Sequence, residues 1–157
     1  NSTQIMIQKI IIRRAVMADA HDIWMWRNDI QTRAMSINVD EVSWDSHRTW
    51  FLNTLTNHNR SLLIGSLDEA KIGICRFDID SGSNTAEVSI NINPAMRGKK
   101  LSHALLTAAI QAFWHTQKIN LVATIKKQNT ASIQCFIQFR FVFDSETEQY
   151  NYYKLLT

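Results

Sequence analysis

The stretch NPAMRGKKLSHALL, residues 93–106, contains the only proline of the chain and one of its four glycines. Pro94 cannot donate to a β-ladder and therefore predicts the end of a strand. Leu101 and Leu105 open an apolar pattern with helical spacing, so a helix is predicted to begin near Gly98. The unpaired N–H groups at a helix start carry the positive end of its dipole, and glycine lets a ligand approach the main chain closely. The same turn holds three cations, Arg97, Lys99 and Lys100.

This turn has two interpretations. It has the layout of a pyrophosphate-binding site, in which helix N–H groups and basic side chains surround an anion. An ordinary strand-to-helix connection with solvated lysines would produce the same sequence. The stretch matches neither GxxxxGK(S/T) nor GxGxxG, so the nucleotide sites with those signatures are not predicted.

Around this turn, hydrophobic periodicity predicts the element order β-α-α-β-β-β-α-β-α-β-β, as a single domain over 1–157. Strands are predicted over 5–13, twice within 60–80 with a tight turn at Asp68–Glu69, and over 85–93, 120–125, 141–143 and 151–156. Helices are predicted from a cap at Asp19 to about 29, from a cap at Ser43 to about 57, from near 98 to about 117, and over 130–139. This order indicates an α+β (mixed α/β) domain with a mostly antiparallel sheet.

Two of these elements have clear faces. The first helix is predicted to place the apolar residues Ile23, Trp26 and Ile30 on one face. In the strand before Pro94, two sets of residues alternate: Val88, Ile90 and Ile92 on one face, and Glu87, Ser89 and Asn91 on the other.

Composition disfavours several classes of protein. A formal net charge of +3 with scattered basic residues does not predict nucleic-acid binding. No run is long and apolar enough for a membrane span, and NSTQIMIQKIII lacks the layout of a signal peptide, so a cytoplasmic location is expected. Cys75 and Cys135 lie in apolar runs and are expected to be buried free thiols. The five histidines have no metal-type spacing, so no metal site is expected.

Two motifs resemble those of the GNAT superfamily of N-acetyltransferases. The turn Arg97-Gly98-Lys99-Lys100-Leu101-Ser102 is similar to the acetyl-CoA motif Q/R-x-x-G-x-G/A, with Lys100 at the usual glycine and Ser102 at the usual glycine or alanine. NTASIQCFIQFRF, residues 129–141, resembles the second signature N-x-x-S-x-x-x-Y/F-x-x-x-G-F. Asn129, Ser132, Phe136 and Phe141 match it, and Arg140 replaces the usual glycine.

The resemblance implies the GNAT acyl-CoA N-acyltransferase fold, a mostly antiparallel, splayed seven-stranded sheet flanked by about four helices. In that fold the sheet opens after the fourth strand, helped by a bulge, and acetyl-CoA (coenzyme A) lies in the gap. The implied cofactor-binding residues are Asn91, Ile92 and Asn93 for the pantetheine arm, then Arg97, Gly98, Lys99, Lys100, Leu101 and Ser102 for the pyrophosphate. Asn129, Ser132 and Phe136 follow from the second motif.

Direct transfer of an acetyl group to a primary amine needs a base, a donor to the carbonyl oxygen and a proton for the thiolate. Glu87 is the predicted base, although an exposed or ion-paired strand glutamate would look the same. The family often supplies the acid from a tyrosine where this chain has Phe136. Tyr150 is therefore the predicted acid, with three alternatives: Tyr152 or Tyr153, the less favoured Cys135, and unassisted departure of the thiolate.

The predicted acceptor site lies in WMWRNDIQTRAM (24–35) and SWDSHRTWF (43–51). These stretches resemble the GNAT branch that acetylates 4-amino sugars on nucleotide carriers in pseudaminic and legionaminic acid biosynthesis. The implied substrate-binding residues are Trp26, Arg27, Asn28, Arg33 and His47, with Ser89 from the strand face and with Trp24, Trp44 and Trp50 available for stacking.

Three alternatives stay open for the acceptor site. The aromatic residues also fit a hydrophobic core. A similar pattern occurs in acetyltransferases of ribosomal-protein N-termini, and a non-catalytic acyl-CoA-binding module would keep most of these residues. The expected partner is a small-molecule amine, a sugar nucleotide in the favoured interpretation, and a homodimer is compatible with the sequence.

Overall fold

The computed structural model describes residues 9–157. Its strands are β1 (Ile11–Arg14), β2 (Arg60–Leu67), β3 (Ala70–Asp80), β4 (Thr85–Ile92), β5 (Asn120–Lys126), β6 (Val142–Glu146) and β7 (Tyr150–Leu155). Its helices are α1 (Ala20–Asn28), α2 (Ile30–Met35), α3 (Trp44–Leu55), α4 (Ser102–Thr116) and α5 (Thr130–Gln138). Short 3-10 turns at Met17–Asp19 and Pro94–Met96 precede α1 and α4.

The seven strands form one sheet in the order β1-β2-β3-β4-β5-β7-β6. Neighbouring strands are antiparallel except β4 and β5, which run parallel and are connected through α4. The predicted mixed α/β class and the mostly antiparallel seven-stranded sheet are confirmed. The described part of the chain has five α-helices, because α2 is an additional short helix.

Apolar side chains pack on both faces of the sheet. Under α4 and α5, Phe77 stacks on Phe113 with ring centroids 4.2 Å apart, in a cluster that also contains both cysteines. Under α1 and α3, Ile23, Trp26 and Phe51 pack on Leu62, Ile64 and Ile74. Cys75 and Cys135 are unpaired and buried, as predicted, and burial raises the pKa of both thiols.

The two predicted helix caps differ in outcome. Ser43 precedes α3, and its Oγ accepts from the N–H of Ser46 at 3.2 Å, so this prediction is confirmed. Asp19 precedes α1 but makes no side-chain cap bond. Its buried carboxylate instead accepts from Arg13 at 2.8 Å and from Lys71 at 2.7 Å, because two cations stabilise a buried charge better than helix N–H groups alone.

The first predicted helix is interrupted at Asp29, which has φ −55° and ψ 135° and lies between α1 and α2. Its carboxylate accepts from the N–H of Thr32 at 3.0 Å and so begins a new helix. Ile23 and Trp26 are buried, whereas Ile30 belongs to α2 and is 77% exposed, so the prediction that the three share one helix face is wrong for Ile30.

The outer limits of two other elements also differ from prediction. The helix expected to begin near Gly98 begins at Ser102, because the preceding residues form a left-handed turn. Of the strand predicted at 5–13, residues 5–8 lie outside the described part of the chain, and β1 begins at Ile11. The tight turn at Asp68 and Glu69 is confirmed, with φ angles of 50° and 68°.

Candidate functional site

The sheet opens between β4 and β5. Parallel pairing joins Thr85–Glu87 to Asn120–Val122 and then stops, although both strands continue. β3 pairs with β4 along its whole length, so one edge of β4 is satisfied and the other, beyond Glu87, faces a gap. The predicted opening is confirmed. The predicted bulge in β4 is wrong, because its register with β3 is unbroken. The rotation between neighbouring strands can separate the two strand ends without one.

The loop before α4 is open and left-handed. Gly98 and Lys100 have φ angles of 75° and 56°, which is the conformation that glycine adopts at least cost. A Cβ atom added at Gly98 would meet no heavy atom of residues 9–157 within 4 Å, so a ligand has room beside the main chain. The first turn of α4 has no side-chain cap, and Lys99 and Lys100 are exposed next to it. The free edge of β4 and this loop fit the amides and the pyrophosphate of coenzyme A.

The side chain of Arg97 is already bound within the protein. Its Nη2 donates to the carboxylate of Asp29 and, at 2.9 Å, to Oγ1 of Thr32. The Arg97 guanidinium holds the pKa of Asp29 below its usual range. The loop that precedes α4 is therefore anchored to the start of α2, a contact between residues far apart in the sequence.

The other residues predicted at the pantetheine arm lie at the top of β4. Asn91 and Ile92 pair with Ile74 and Gly73 of β3, and no strand within residues 9–157 pairs with them on the other side. The amide of Asn93 is occupied, because Nδ2 donates to the carbonyl of Lys71 at 2.9 Å and Oδ1 accepts from the N–H of Ala95 at 3.0 Å. Contacts of these residues with the cofactor stay a prediction.

The second motif builds α5. Oδ1 of Asn129 accepts from the N–H of Ser132 at 3.3 Å and begins the helix. Phe136 is 1% exposed and packs edge-on against Phe141, with centroids 4.9 Å apart. Arg140 ends the helix with φ 81°, which explains physically why glycine is usual there. These contacts give the motif a structural role in this chain, whether or not it also touches the cofactor.

Glu87 lies where β4 and β5 separate. It is exposed and faces Asp78 of β3 on one side and Val122 of β5 on the other. Ser89 lies opposite Arg76, and cross-strand partners share a face of the sheet. These side chains therefore line the face of the sheet under α1 and α3. We call this surface the acceptor face and define it by six residues: Arg76, Asp78, Glu87 and Ser89 from the strands, and Arg27 and Trp50 from the helices.

Two arginines meet over one indole ring on the acceptor face. The Cζ atoms of Arg27 and Arg76 lie 5.2 and 5.6 Å from the ring centroid of Trp50. Burial lowers the pKa of Arg27, and the nearby charge of Arg76 lowers it further. Nη1 of Arg27 lies 3.2 Å from Nδ1 of His47, and none of the ion pairs within residues 9–157 includes Arg27.

His47 holds the guanidinium of Arg27 from the buried side. The imidazole is fully buried, and its Nε2 lies 2.8 Å from the carbonyl of Ala20, so Nε2–H donates and Nδ1 accepts from Arg27. Burial lowers the pKa of His47, which favours this neutral form. His47 was predicted to bind substrate, and in this structure it has no exposed surface.

The remaining residues predicted to bind the acceptor hold the segment between α1 and α3. Trp26 is 6% exposed in the core. The amide of Asn28 exchanges two hydrogen bonds with the main chain of Val42, at 2.8 and 2.9 Å. Nε of Arg33 donates to the carbonyl of Asn28 at 3.1 Å. Trp24 and Trp44 pack edge-on with centroids 5.5 Å apart.

Tyr150 and Tyr152 of β7 face the same side as Glu87. They lie opposite Lys126 and Thr124 of β5, which are four and two residues beyond Val122. At about 3.3 Å per residue, Tyr152 is roughly 7 Å and Tyr150 roughly 13 Å from Glu87 along the strand direction. Tyr153 faces the α4 and α5 side and is buried. Burial raises the pKa of Cys135 to about 11.

The sequence alone missed Arg76, Asp29 and the short helix that Asp29 begins. Arg76 had a detectable signal, because it follows Ile72 and Ile74 at alternate positions of β3 and replaces an expected apolar residue. The partnership of Asp29 with Arg97 had none, since it depends on how the chain folds back on itself.

A sequence profile of the acetyltransferase (GNAT) domain matches residues 9–142, and the chain therefore belongs to the GNAT acetyltransferase family. It is an N-acetyltransferase whose cosubstrate is acetyl-CoA. A search of curated protein sequences finds no match. Within residues 9–157, none of the helices is long and apolar enough to cross a membrane.

Solved structures share the fold at low sequence identity. Spermidine N-acetyltransferase from Vibrio cholerae, in complex with CoA and spermine, has a TM-score of 0.86 at 14% identity, covering 94% of this chain and 95% of that one. An N-acetyltransferase from Staphylococcus aureus Mu50 has a TM-score of 0.79 at 24% identity, and the match covers 94% of this chain and 98% of that one. The N-acetyltransferase PseH from Campylobacter jejuni, in complex with acetyl coenzyme A, has a TM-score of 0.74 at 16% identity, and the match covers 94% of this chain and 99% of that one.

Proposed function

We propose that this enzyme acetylates the 4-amino group of a nucleotide-linked amino-deoxy sugar, as in pseudaminic or legionaminic acid biosynthesis. The observation that carries the proposal is the half-buried guanidinium of Arg27, which has Arg76 beside it and no carboxylate paired with it within residues 9–157. Arg76 is paired with Asp78, so the charge left without a carboxylate partner in this pair of guanidiniums is that of Arg27, and it favours an acceptor that brings negative charge. The diphosphate of a sugar nucleotide is such a group.

The same charges disfavour a polyamine as the acceptor. A polyamine carries several ammonium groups and is held by carboxylates. On the acceptor face, Asp78 is already paired with Arg76 at 3.1 Å and with Arg60 at 3.7 Å. Glu87 belongs to none of the ion pairs within residues 9–157, but as a single carboxylate on a face with two arginines it offers a polycation little net attraction. The half-buried indole of Trp50, which the two guanidiniums contact, adds an aromatic group on the same face.

In this proposal different residues act as the base, bind the cofactor and donate a proton. Acetyl-CoA supplies the activated thioester when bound. Glu87, at the point where the strands separate, removes a proton from the attacking ammonium directly or through water. The main chain at the edge of β4 and the loop before α4 hold the pantetheine arm and the pyrophosphate. Tyr150 is the predicted proton donor, and Tyr152 is the nearer alternative on the same face.

The proposal is tested by thiol release from acetyl-CoA with four acceptors: a UDP-4-amino-4,6-dideoxy sugar, spermidine, a ribosomal N-terminal peptide and an aminoglycoside. Turnover is expected with the sugar nucleotide. Arg27→Gln is expected to raise KM for it roughly 10- to 150-fold, the range of a hydrogen bond to a charged group. Preferred turnover of spermidine or the peptide would overturn the acceptor assignment. Binding of CoA without thiol release from any acceptor would favour the non-catalytic module.

A further inference from the structure

Helix α2 spans the open end of the cleft between β4 and β5. At its N-terminal end, Asp29 and Thr32 bind Arg97, which follows β4. At its C-terminal end, the carbonyl of Ala34 accepts from Nζ of Lys126 at 3.1 Å and from Nε2 of Gln128 at 3.3 Å, where β5 ends. The two strands that lose contact with each other after Glu87 are thus joined again, farther along, through α2.

Both ends of this connection combine charge with helix geometry. Asp29 begins α2 and places its carboxylate against a guanidinium, whereas Lys126 places an ammonium at the carbonyl end of the helix, where the dipole is negative. The contacts at the C-terminal end satisfy a carbonyl that an isolated helix would leave free, and the contact at the N-terminal end neutralises the carboxylate that caps the helix. The helix therefore depends on both walls of the cleft for its own stability, and it links them.

We propose that α2 is a strap that sets the width of the acetyl-CoA cleft. The residues that hold its two ends are positioning residues: Asp29 at one end, and Lys126 with Gln128 at the other. They act through the walls of the cleft and do not touch the reacting atoms. This inference does not depend on the identity of the acceptor amine. It extends the cofactor site to residues that lie outside its two motifs, 97–102 and 129–141.

The strap is tested by the rate of CoA dissociation, measured by stopped flow in the intact protein. Asp29→Asn keeps a side-chain oxygen for the N–H of Thr32 and removes the charge paired with Arg97. Lys126→Met with Gln128→Ala releases the other end. Each is expected to speed CoA dissociation about fivefold, the equivalent of one net hydrogen bond. Asp68→Asn is the control, an exposed turn residue whose left-handed φ of 50° suits asparagine.

The combined variant separates the strap from two local effects. Independent changes at separate sites multiply, which would give about 25-fold faster dissociation. A strap released at one end no longer holds the walls, so the combined variant is expected to stay near fivefold. Multiplied effects, or wild-type dissociation when only the Lys126 end is released, would overturn the proposal. Slower dissociation in Asp29→Asn would do so too, because Asp29 would then simply compete with the phosphates for Arg97.

Discussion

Gly98 is the position where one pair of substitutions separates charge from backbone geometry in the cofactor loop. Its φ of 75° imposes a similar cost on aspartate and asparagine, and a Cβ atom added there meets no heavy atom of residues 9–157 within 4 Å. Gly98→Asp and Gly98→Asn should therefore fold alike. Only the first places a negative charge beside the pyrophosphate, so it is predicted to bind CoA more weakly.

The magnitude follows from Coulomb's law. For an assumed separation of about 6 Å, a carboxylate is repelled by two phosphate charges by about 1.4 kcal/mol at the dielectric constant of water, and by about 5.5 kcal/mol at an effective constant of 20. Because residue 98 is exposed, the lower value applies, which corresponds to roughly tenfold weaker binding. Salt screens this repulsion over about 8 Å at physiological ionic strength, so the difference should shrink in concentrated salt.

Isothermal titration calorimetry of CoA into both variants measures the effect, with the asparagine variant as the matched control. The ratio of the two Kd values is expected near ten in dilute buffer and closer to one in 0.5 M salt, as screening predicts. Equal Kd values in dilute buffer would refute the location of the pyrophosphate at this loop.

Three further predictions concern catalysis and stability. Glu87→Gln should lower kcat at neutral pH by about 100-fold or more and leave CoA affinity unchanged, and a wild-type rate across the pH range would remove Glu87 from the base role. Arg140→Gly should raise the free energy of unfolding by about 1 kcal/mol in urea, because glycine relieves the φ of 81°, and a loss of stability would contradict this. Asp19→Asn should cost about 2–3 kcal/mol at pH 7, because hydrogen bonds to Arg13 and Lys71 are lost. Those cations hold the pKa of Asp19 below its usual value despite burial, so this difference should shrink as the pH falls below about 4, and a pH-independent difference would contradict it.

The elements with local signals were predictable from the sequence. The alternation in β4, the serine before α3 and the turn at Asp68–Glu69 each follow from residues within a few positions of one another. The start of α4 was predicted a few residues too early, because the amino-acid sequence does not indicate that Lys100 adopts a left-handed φ. Residues other than glycine adopt such an angle only uncommonly.

The parts that were missed depend on contacts between distant segments. Asp19 would cap α1 if only its neighbours mattered, but Lys71 of β3 takes its carboxylate. Asp29 divides one predicted helix into two, and its partner Arg97 is supplied by the loop after β4. The meeting of two guanidiniums on the acceptor face likewise required the register of β3, which brings Arg76 to the same indole ring as Arg27.

The most direct test of the proposed function compares one amino sugar in two forms with the wild-type enzyme: linked to UDP and free of the nucleotide. If Arg27 and Arg76 recognise the diphosphate, kcat/KM for the linked form should exceed that for the free sugar by at least about tenfold, the effect of one hydrogen bond to a charged group. Equal values for the two forms would contradict the account, because the two arginines of the acceptor face would then have no part in selecting the substrate.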